Sequence, residues 1–317
     1  MPTHPCRLIG DRAPCVRIRL WVSDDPAVGG RIELGHRIGV LERKTELISR
    51  FTVKELATAA FYSEDNGYET IKHASGWDGK KESIPLRHWP SQMSTFLDDG
   101  VAQLGVALER SHGVASLYNG TLDVVQHRRG APFEGSGSTV VIDDTDRLFT
   151  QTWLSVGNSS TANTLRHSNK LRLNHPFDVM FAAGPSTTAD SPLLVDPIKN
   201  AQSVPASVHL QTVRATSSSA DEVLLNLMHV FGSAEQPAAA TKPMSLDLGS
   251  LLKPFRPALT SFNETTINGM IPKDALERLP WKTTKPAAQH KPVAAAAAAH
   301  MLTIAAFEIR TFLATEF

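Results

Sequence analysis

The chain has 317 residues with 32 basic and 32 acidic side chains, so with histidine neutral it carries no net formal charge. That balance supplies no positive field to gather nucleic acid or an anionic membrane. The longest apolar run, Ala294 to Ala299 with its neighbours, is far short of the roughly 20 residues a bilayer span requires. The length suits two domains, or one large β domain, with a core that needs no disulfides.

The first 27 residues open Met1-Pro2-Thr3-His4-Pro5, are Arg-rich and lack the apolar stretch of a signal peptide. Cys6 and Cys15 are neither a disulfide framework nor a zinc ligand set; one small bridge and two free thiols both remain open. Ile32 to Val40 and Glu46 to Phe51 read as strands, and Lys54 to Ala60 as a short helix. Three hairpins follow, each centred on a dipeptide that tolerates positive φ: Asn66-Gly67, Asp99-Gly100 and Asn119-Gly120. The flanking strands are Ala60 to Ser63 with Tyr68 to Ile71, Met93 to Leu97 with Ala102 to Leu108, and Ser116 to Tyr118 with Thr121 to Gln126. So many turn-punctuated strands in sequence argue for a large antiparallel sheet.

Further strands are expected at Thr139 to Ile142, Phe177 to Phe181, Val208 to Val213, Val223 to Val230 and Leu302 to Phe312. Helical signal is scarce after Ala60, the exception being Lys273 to Leu279, which Pro280 ends. Between Phe181 and Val204 the composition turns to Ala, Gly, Pro, Ser and Thr, which places a domain boundary near residue 200. Lys285 to Ala299 is Pro/Ala-rich and reads as a solvent loop.

Several segments are less generic. They are Ser49-Arg50-Phe51, Phe61 through Glu69, and the run from Gln103-Leu104 through Arg110-Ser111-His112-Gly113 to Val124-Val125-Gln126-His127-Arg128-Arg129. Val204 to Leu210, Leu259 to Thr266, Leu279-Pro280-Trp281-Lys282-Thr283 and Phe307 to Ala314 continue the series. In this order they resemble the carboxy-terminal region of family 38 glycoside hydrolases, in the lysosomal α-mannosidase branch, over roughly residues 28 to 317. The resemblance implies an all-β chain: residues 1–27 unmatched, a large antiparallel galactose mutarotase-like supersandwich over 28–200, and a smaller terminal β-sandwich over 201–317.

It also implies an enzyme of mannose catabolism, acting on terminal α-mannose of N-glycans in the lysosome or secretory pathway. Members are retaining glycosidases with two carboxylates about 5 to 5.5 Å apart, and their zinc, bound by His and Asp, holds the mannose hydroxyls. By the same resemblance the nucleophile and metal ligands lie in an amino-terminal part that nothing here matches. No catalytic residue, metal ligand or cofactor is therefore assigned to this chain, and alone it is expected to be inactive. The partners implied are a catalytic half and, through it, mannose-containing glycans, with no nucleic acid and no membrane.

The polar residues fit that expectation. Asp98-Asp99 and Asp143-Asp144 with Asp146 are paired carboxylates best explained by turn chemistry. The twelve histidines lack metal-ligand spacing, although His209 and His229 could face each other across strands. Three positions are substrate-edge candidates. Trp89, before Pro90, either stacks on a sugar face or caps its own sheet. Arg128 and Arg129 lead, in the family, into an acidic loop that reaches the substrate; here Gly130-Ala131-Pro132-Phe133-Glu134-Gly135 follows, so that loop is shortened. One of these arginines is expected to make an inward ion pair. Asn158 and Asn263 stand in glycosylation sequons, and Asn119 in a third that its turn already explains. A stand-alone carbohydrate-binding β module and a non-functional gene fragment are the alternatives to a mannosidase part.

Overall fold

In a computed structural model of the chain, the described residues are 15–21, 30–56, 58–80, 87–130, 143–176, 204–216, 219–232, 235, 238–253, 258–277 and 300–316. They belong to two compact units, Met1–Val179 and Met180–Phe317. The boundary expected near residue 200 falls outside the described residues, as do the strands expected at Thr139 to Ile142 and Phe177 to Phe181, the loop after Gly130, and Trp281.

The first unit is a sandwich of two antiparallel sheets. One has seven strands in the order β1 (Cys15–Trp21), β2 (Arg31–Ile38), β11 (Leu148–Asn158), β8 (Ala102–Leu108), β7 (Ser94–Asp98), β4 (Ala60–Glu64) and β5 (Thr70–Ala74). The other has four: β3 (Thr45–Thr52), β10 (Thr121–Arg129), β9 (His112–Ala115) and β6 (Trp89–Ser91). Alternating side chains of both sheets meet between them. Leu34, Phe61, Leu97, Leu104, Val106, Leu108 and Leu154 come from the first sheet, and Val114, Leu122 and Val124 from the second. Fully burying each such side chain contributes about 1.5–3 kcal/mol. The amino-terminal segment left unmatched by the resemblance supplies β1, whose Ile18 pairs with Leu34 at the sheet edge.

All three expected hairpins form, with longer connections than a two-residue turn. Asn66 Oδ1 accepts from the amides of Tyr68 and Glu69 at 3.0 and 2.7 Å, and Gly67 takes φ 73°. Asp99 Oδ1 accepts from Val101 and Ala102, both at 2.8 Å. The third hairpin begins earlier than expected, on β9, so Ser116 to Tyr118 lies in its connection. The hairpins are divided between the two sheets and do not form one.

The helical expectation needs correction. Of the short helix expected over Lys54 to Ala60, Lys54 and Glu55 lie in a turn and Ala60 begins β4, whereas a sixteen-residue helix, α1 (Ser159–Asn174), was not foreseen. Asn158 caps it, its side chain accepting from Thr161 N at 2.9 Å, and Arg172 sits favourably in its last turn. The periodicity failed because the buried face of α1 is polar: Asn163, Arg166, His167, Asn169 and Lys170 are all buried. Such a helix shows no apolar stripe.

The second unit packs a four-stranded sheet, β12 (Val208–Thr216), β13 (Ser219–His229), β17 (Ile309–Glu316) and β15 (Leu259–Thr265), with a two-stranded sheet, β14 (Met244–Asp247) and β16 (Met301–Ile304), and a short helix, α2 (Leu248–Leu252). Its core includes Leu225, Leu227, Leu246, Leu248, Ile304, Phe312 and Ala314. The strand expected over Leu302 to Phe312 is two strands in different sheets. The chain turns between them at Phe307, φ 65°. In β12–β13 His229 pairs with Val208 and His209 with Met228, so the two histidines do not face each other. Of the helix expected over Lys273 to Leu279, the described residues, up to 277, form a short 3-10 turn, Lys273–Ala275. The all-β expectation holds, as one larger and one smaller sandwich in that order.

Candidate functional site

Trp89 begins β6, the outer strand of the four-stranded sheet, opposite Val114. Its position pairs with a core residue, so the indole points between the sheets. There it stacks on His73 of β5 in the other sheet, with centroids 4.4 Å apart and planes 19° apart. His73 in turn accepts or donates a 2.8 Å bond with Ser63 Oγ and lies against Phe61. The indole thus joins two sheet edges with one face, leaving the ring 44% exposed.

Arg128 and Arg129 end β10. Arg128 Nε lies 3.0 Å from Glu46 Oε1 on exposed surface. Arg129 is more deeply placed: Nε donates to Asp143 Oδ1 at 2.6 Å and Nη1 to Leu41 O at 2.7 Å. Asp143 also accepts from Arg43 Nη2 at 2.7 Å. These bonds from Arg43 and Arg129 hold the Asp143 carboxyl below its ordinary range. Asp143 is thus an ion-pair member, while Asp144 accepts from the Asp146 amide in a turn.

The structure does not bring the three candidates together. Trp89 is level with Val114, which pairs with Val124. Arg128 and Arg129 lie four and five residues further along β10, about 15 Å at the rise of a strand. Of the sequons, Asn158 uses its side-chain oxygen as the α1 cap, and Asn263 is exposed on β15 opposite Leu313.

Sequence reasoning missed a buried ionic cluster beneath α1. Glu64 and Arg166 are fully buried and Lys170 nearly so. Glu64 Oε1 accepts from Arg166 Nη1 and from Lys170 Nζ, each at 2.7 Å. Arg166 also donates to Ser94 Oγ and Asn163 Oδ1, both at 2.7 Å, and lies 4.2 Å over the Phe96 ring. Burial pushes the Glu64 carboxyl up, but Lys170, Arg166 and His167 outweigh it and the net shift is downward. Gly105 makes room: a Cβ there would lie 2.6 Å from Ser155 Oγ and 3.1 Å from Arg166 Cβ. The available signals were the Asn-Ser-Ser start at 158 and the i, i+4 cations at 166 and 170. Glu64 lies 102 residues from Arg166, a separation no local pattern reports.

Among the described residues no group of three or more His, Cys, Asp and Glu is placed to hold a metal, and no helix is long and apolar enough to cross a membrane.

No protein-family model matches the chain. It is 28% identical over 276 residues to the epididymis-specific α-mannosidase of Sus scrofa, an alignment covering 80% of this chain and 27% of that protein. The lysosomal α-mannosidase of Homo sapiens is 27% identical over 288 residues, covering 85% of this chain and 27% of that one. The homologues of this chain are α-mannosidases. Among solved structures, an α-mannosidase from Enterococcus faecalis V583 aligns with TM-score 0.53 at 11% identity over 90% of this chain and 28% of its own, which shows a shared fold. The chain spans about a quarter of the length of the α-mannosidases it matches.

Proposed function

We propose that this chain forms the carboxy-terminal β portion of an α-mannosidase that removes terminal α-mannose from N-glycans in the lysosome or secretory pathway, and that it supports a catalytic portion lying outside the stretch shared with its relatives. The observation that carries this reading is the alignment, which runs along four-fifths of the chain and takes in only 27% of the pig relative.

The carboxylates described above support a buttressing role. Glu64 is locked between two buried cations, Asp143 between two arginines, and Asp98 and Asp99 accept backbone amides. Zinc belongs, in this reading, to the catalytic portion. The described residues do not assemble a site for it, so no step is routed through them. Arg129, bonded to Leu41 O and Asp143, would anchor the end of β10.

The test is reconstitution. The purified chain is expected to leave 4-nitrophenyl α-D-mannopyranoside intact, and to raise turnover when added to the catalytic portion of a homologous α-mannosidase lacking its own β portion. Hydrolysis by the isolated chain, abolished by a zinc chelator, would overturn the proposal; so would failure to bind or activate that catalytic portion.

A further inference from the structure

The seven-stranded sheet ends at β1, which pairs with β2 alone among the described strands. Its outer row of backbone N–H and C=O groups therefore has no described strand beside it. Antiparallel partners carry their side chains to the same face, so the register sorts β1 into two sides. Val16, Ile18 and Leu20 stand opposite His36, Leu34 and Ile32, on the side that faces the second sheet. Arg17 and Arg19 stand opposite Gly35 and Glu33, on the other side.

The inner side projects past the core. β3 is the end strand of the second sheet, and its Ser49 Oγ lies 3.0 Å from His36 Nε2 of β2, so the sandwich closes over β2. Leu34 is 8% exposed and belongs to the core, whereas Val16, Ile18 and Leu20 are 49, 67 and 67% exposed. Three large apolar side chains in a row thus carry the core face on into solvent.

The outer side is cationic. On β1 and β2 it holds Arg17, Arg19, Arg31 and Arg37 against the single carboxylate of Glu33. Glu33 Oε1 lies 2.9 Å from Arg31 Nη2, while Arg19 Nη1 comes only within 4.0 Å of Oε2. Arg31 also lies 4.1 Å from the Trp153 ring centroid and Arg37 5.3 Å from that of Phe149, both rings on the neighbouring β11. One carboxylate facing four guanidinium groups leaves a local positive excess in a chain of zero net charge.

The apolar ledge and the arginines lie on opposite faces of one strand, with the open edge between them. A membrane, or any flat surface, meets one face and leaves the other in water. A strand added in the plane of the sheet meets all three: its backbone bonds the edge and its alternate side chains fall on both faces. A second copy of this chain is a poor donor of that strand. Every antiparallel register that sets Val16, Ile18 and Leu20 against their counterparts also sets arginine opposite arginine, and like charges directly opposite are destabilising. We propose that β1 accepts an extended segment of a partner protein in which apolar and acidic residues alternate, the apolar ones covering Val16, Ile18 and Leu20 and the acidic ones facing Arg17 and Arg19. This edge is independent of the mannosidase reading.

The full chain, 15N-labelled, is titrated at low salt with a capped peptide of alternating valine and glutamate, seven residues long like β1. One control peptide carries lysine in place of glutamate. A second carries proline at alternate valines, which removes N–H groups that a ladder needs. The acidic peptide is expected to bind saturably with a Kd of about 100 µM, shifting the amides of residues 16–20, and both controls to bind about tenfold more weakly or worse. Arg17→Glu together with Arg19→Glu should invert the preference between the acidic and lysine peptides, and Ile18→Thr should weaken the acidic one severalfold. These positions are exposed, and unchanged shifts elsewhere establish that the variants fold. No saturable shift by about 1 mM, equal affinity for the acidic and lysine peptides, or a preference that survives the charge reversal would each overturn the proposal. So would binding to phosphatidylserine vesicles without binding of the peptide, which would give the ledge to a membrane. Reconstituted hydrolysis, which tests the mannosidase reading, is a different readout and can succeed or fail independently.

Discussion

The first unit sinks Glu64, Arg166 and Lys170 beneath α1, whereas the second closes its core cluster with Val, Leu, Ile, Phe and Ala and leaves Glu264 partly exposed, held by Arg310 at 2.5 and 2.6 Å and by Lys273. Both units arrange two cations around one carboxylate. In the second the group keeps solvent; in the first it has none, so every contact must be met by protein. The cluster fixes where α1 lies with polar geometry, a job the second unit gives to side-chain volume.

Removing one partner of the buried cluster is expected to have the largest effect. Arg166→Leu takes from the buried Glu64 carboxylate one of its two cationic donors and should cost about 3–5 kcal/mol. Urea unfolding followed by tryptophan fluorescence reports it, because four of the five tryptophans, Trp21, Trp77, Trp89 and Trp153, belong to the first unit. Replacing Glu64, Arg166 and Lys170 together by Leu or Met should cost much less than Arg166→Leu alone. Were the triple variant the worse of the two, the cluster would be a net source of stability and the comparison would fail.

In the second unit Leu227→Ala, at a fully buried position, should cost about 3 kcal/mol; in a Trp281→Phe background, where every remaining tryptophan belongs to the first unit, it should leave the tryptophan-detected transition in place, as circular dichroism alongside fluorescence would show. Gly105→Ala should cost about 2 kcal/mol by pressing a methyl into Ser155 and Arg166, and Ser155→Gly in the same chain should recover part of it. Asn158→Ala should cost about 1 kcal/mol by leaving the first turn of α1 uncapped.

The mildest probe is pH. Burial lowers the pKa of His36, His73 and His112, all in the first unit. Below about 6.5 the unfolded chain takes up protons that these folded imidazoles refuse, so the first unit loses stability as pH falls from there toward the depressed folded values. The Glu264 carboxyl of the second unit is lowered overall, burial opposing and the bonds from Arg310 and Lys273 prevailing. Its contribution is present above the ordinary glutamate range and is lost only as pH falls through its depressed folded value. A falling first transition between pH 6.5 and 5 with an unmoved second one is the expected outcome. Equal slopes would erase the difference between the units.

Much of this architecture is legible from residues alone where the signal is local. Asn66-Gly67 and Asp99-Gly100 mark hairpins because each glycine accepts positive φ while the Asn66 and Asp99 side chains bond the amides that follow, and the alternation in Leu104, Val106 and Leu108 marks a core-facing strand. The single strand expected over Leu302 to Phe312 fails for an equally local reason: the apolar run continues through a turn, and periodicity does not see which sheet each half joins. Of the candidate residues, an inward pair for Arg128 or Arg129 was anticipated. Its partners, Asp143 and Leu41 O, were not.

The sequence by itself determined an antiparallel β chain with the segment order of a mannosidase β region, because turn chemistry, strand alternation and motif order are all written along the chain. Only the tertiary structure decided that Trp89 spans two sheet edges and that Glu64 meets Arg166 and Lys170 under an unforeseen helix. The physical reason is separation. Each of these contacts joins residues that no local rule relates, across distances along the chain that only packing closes.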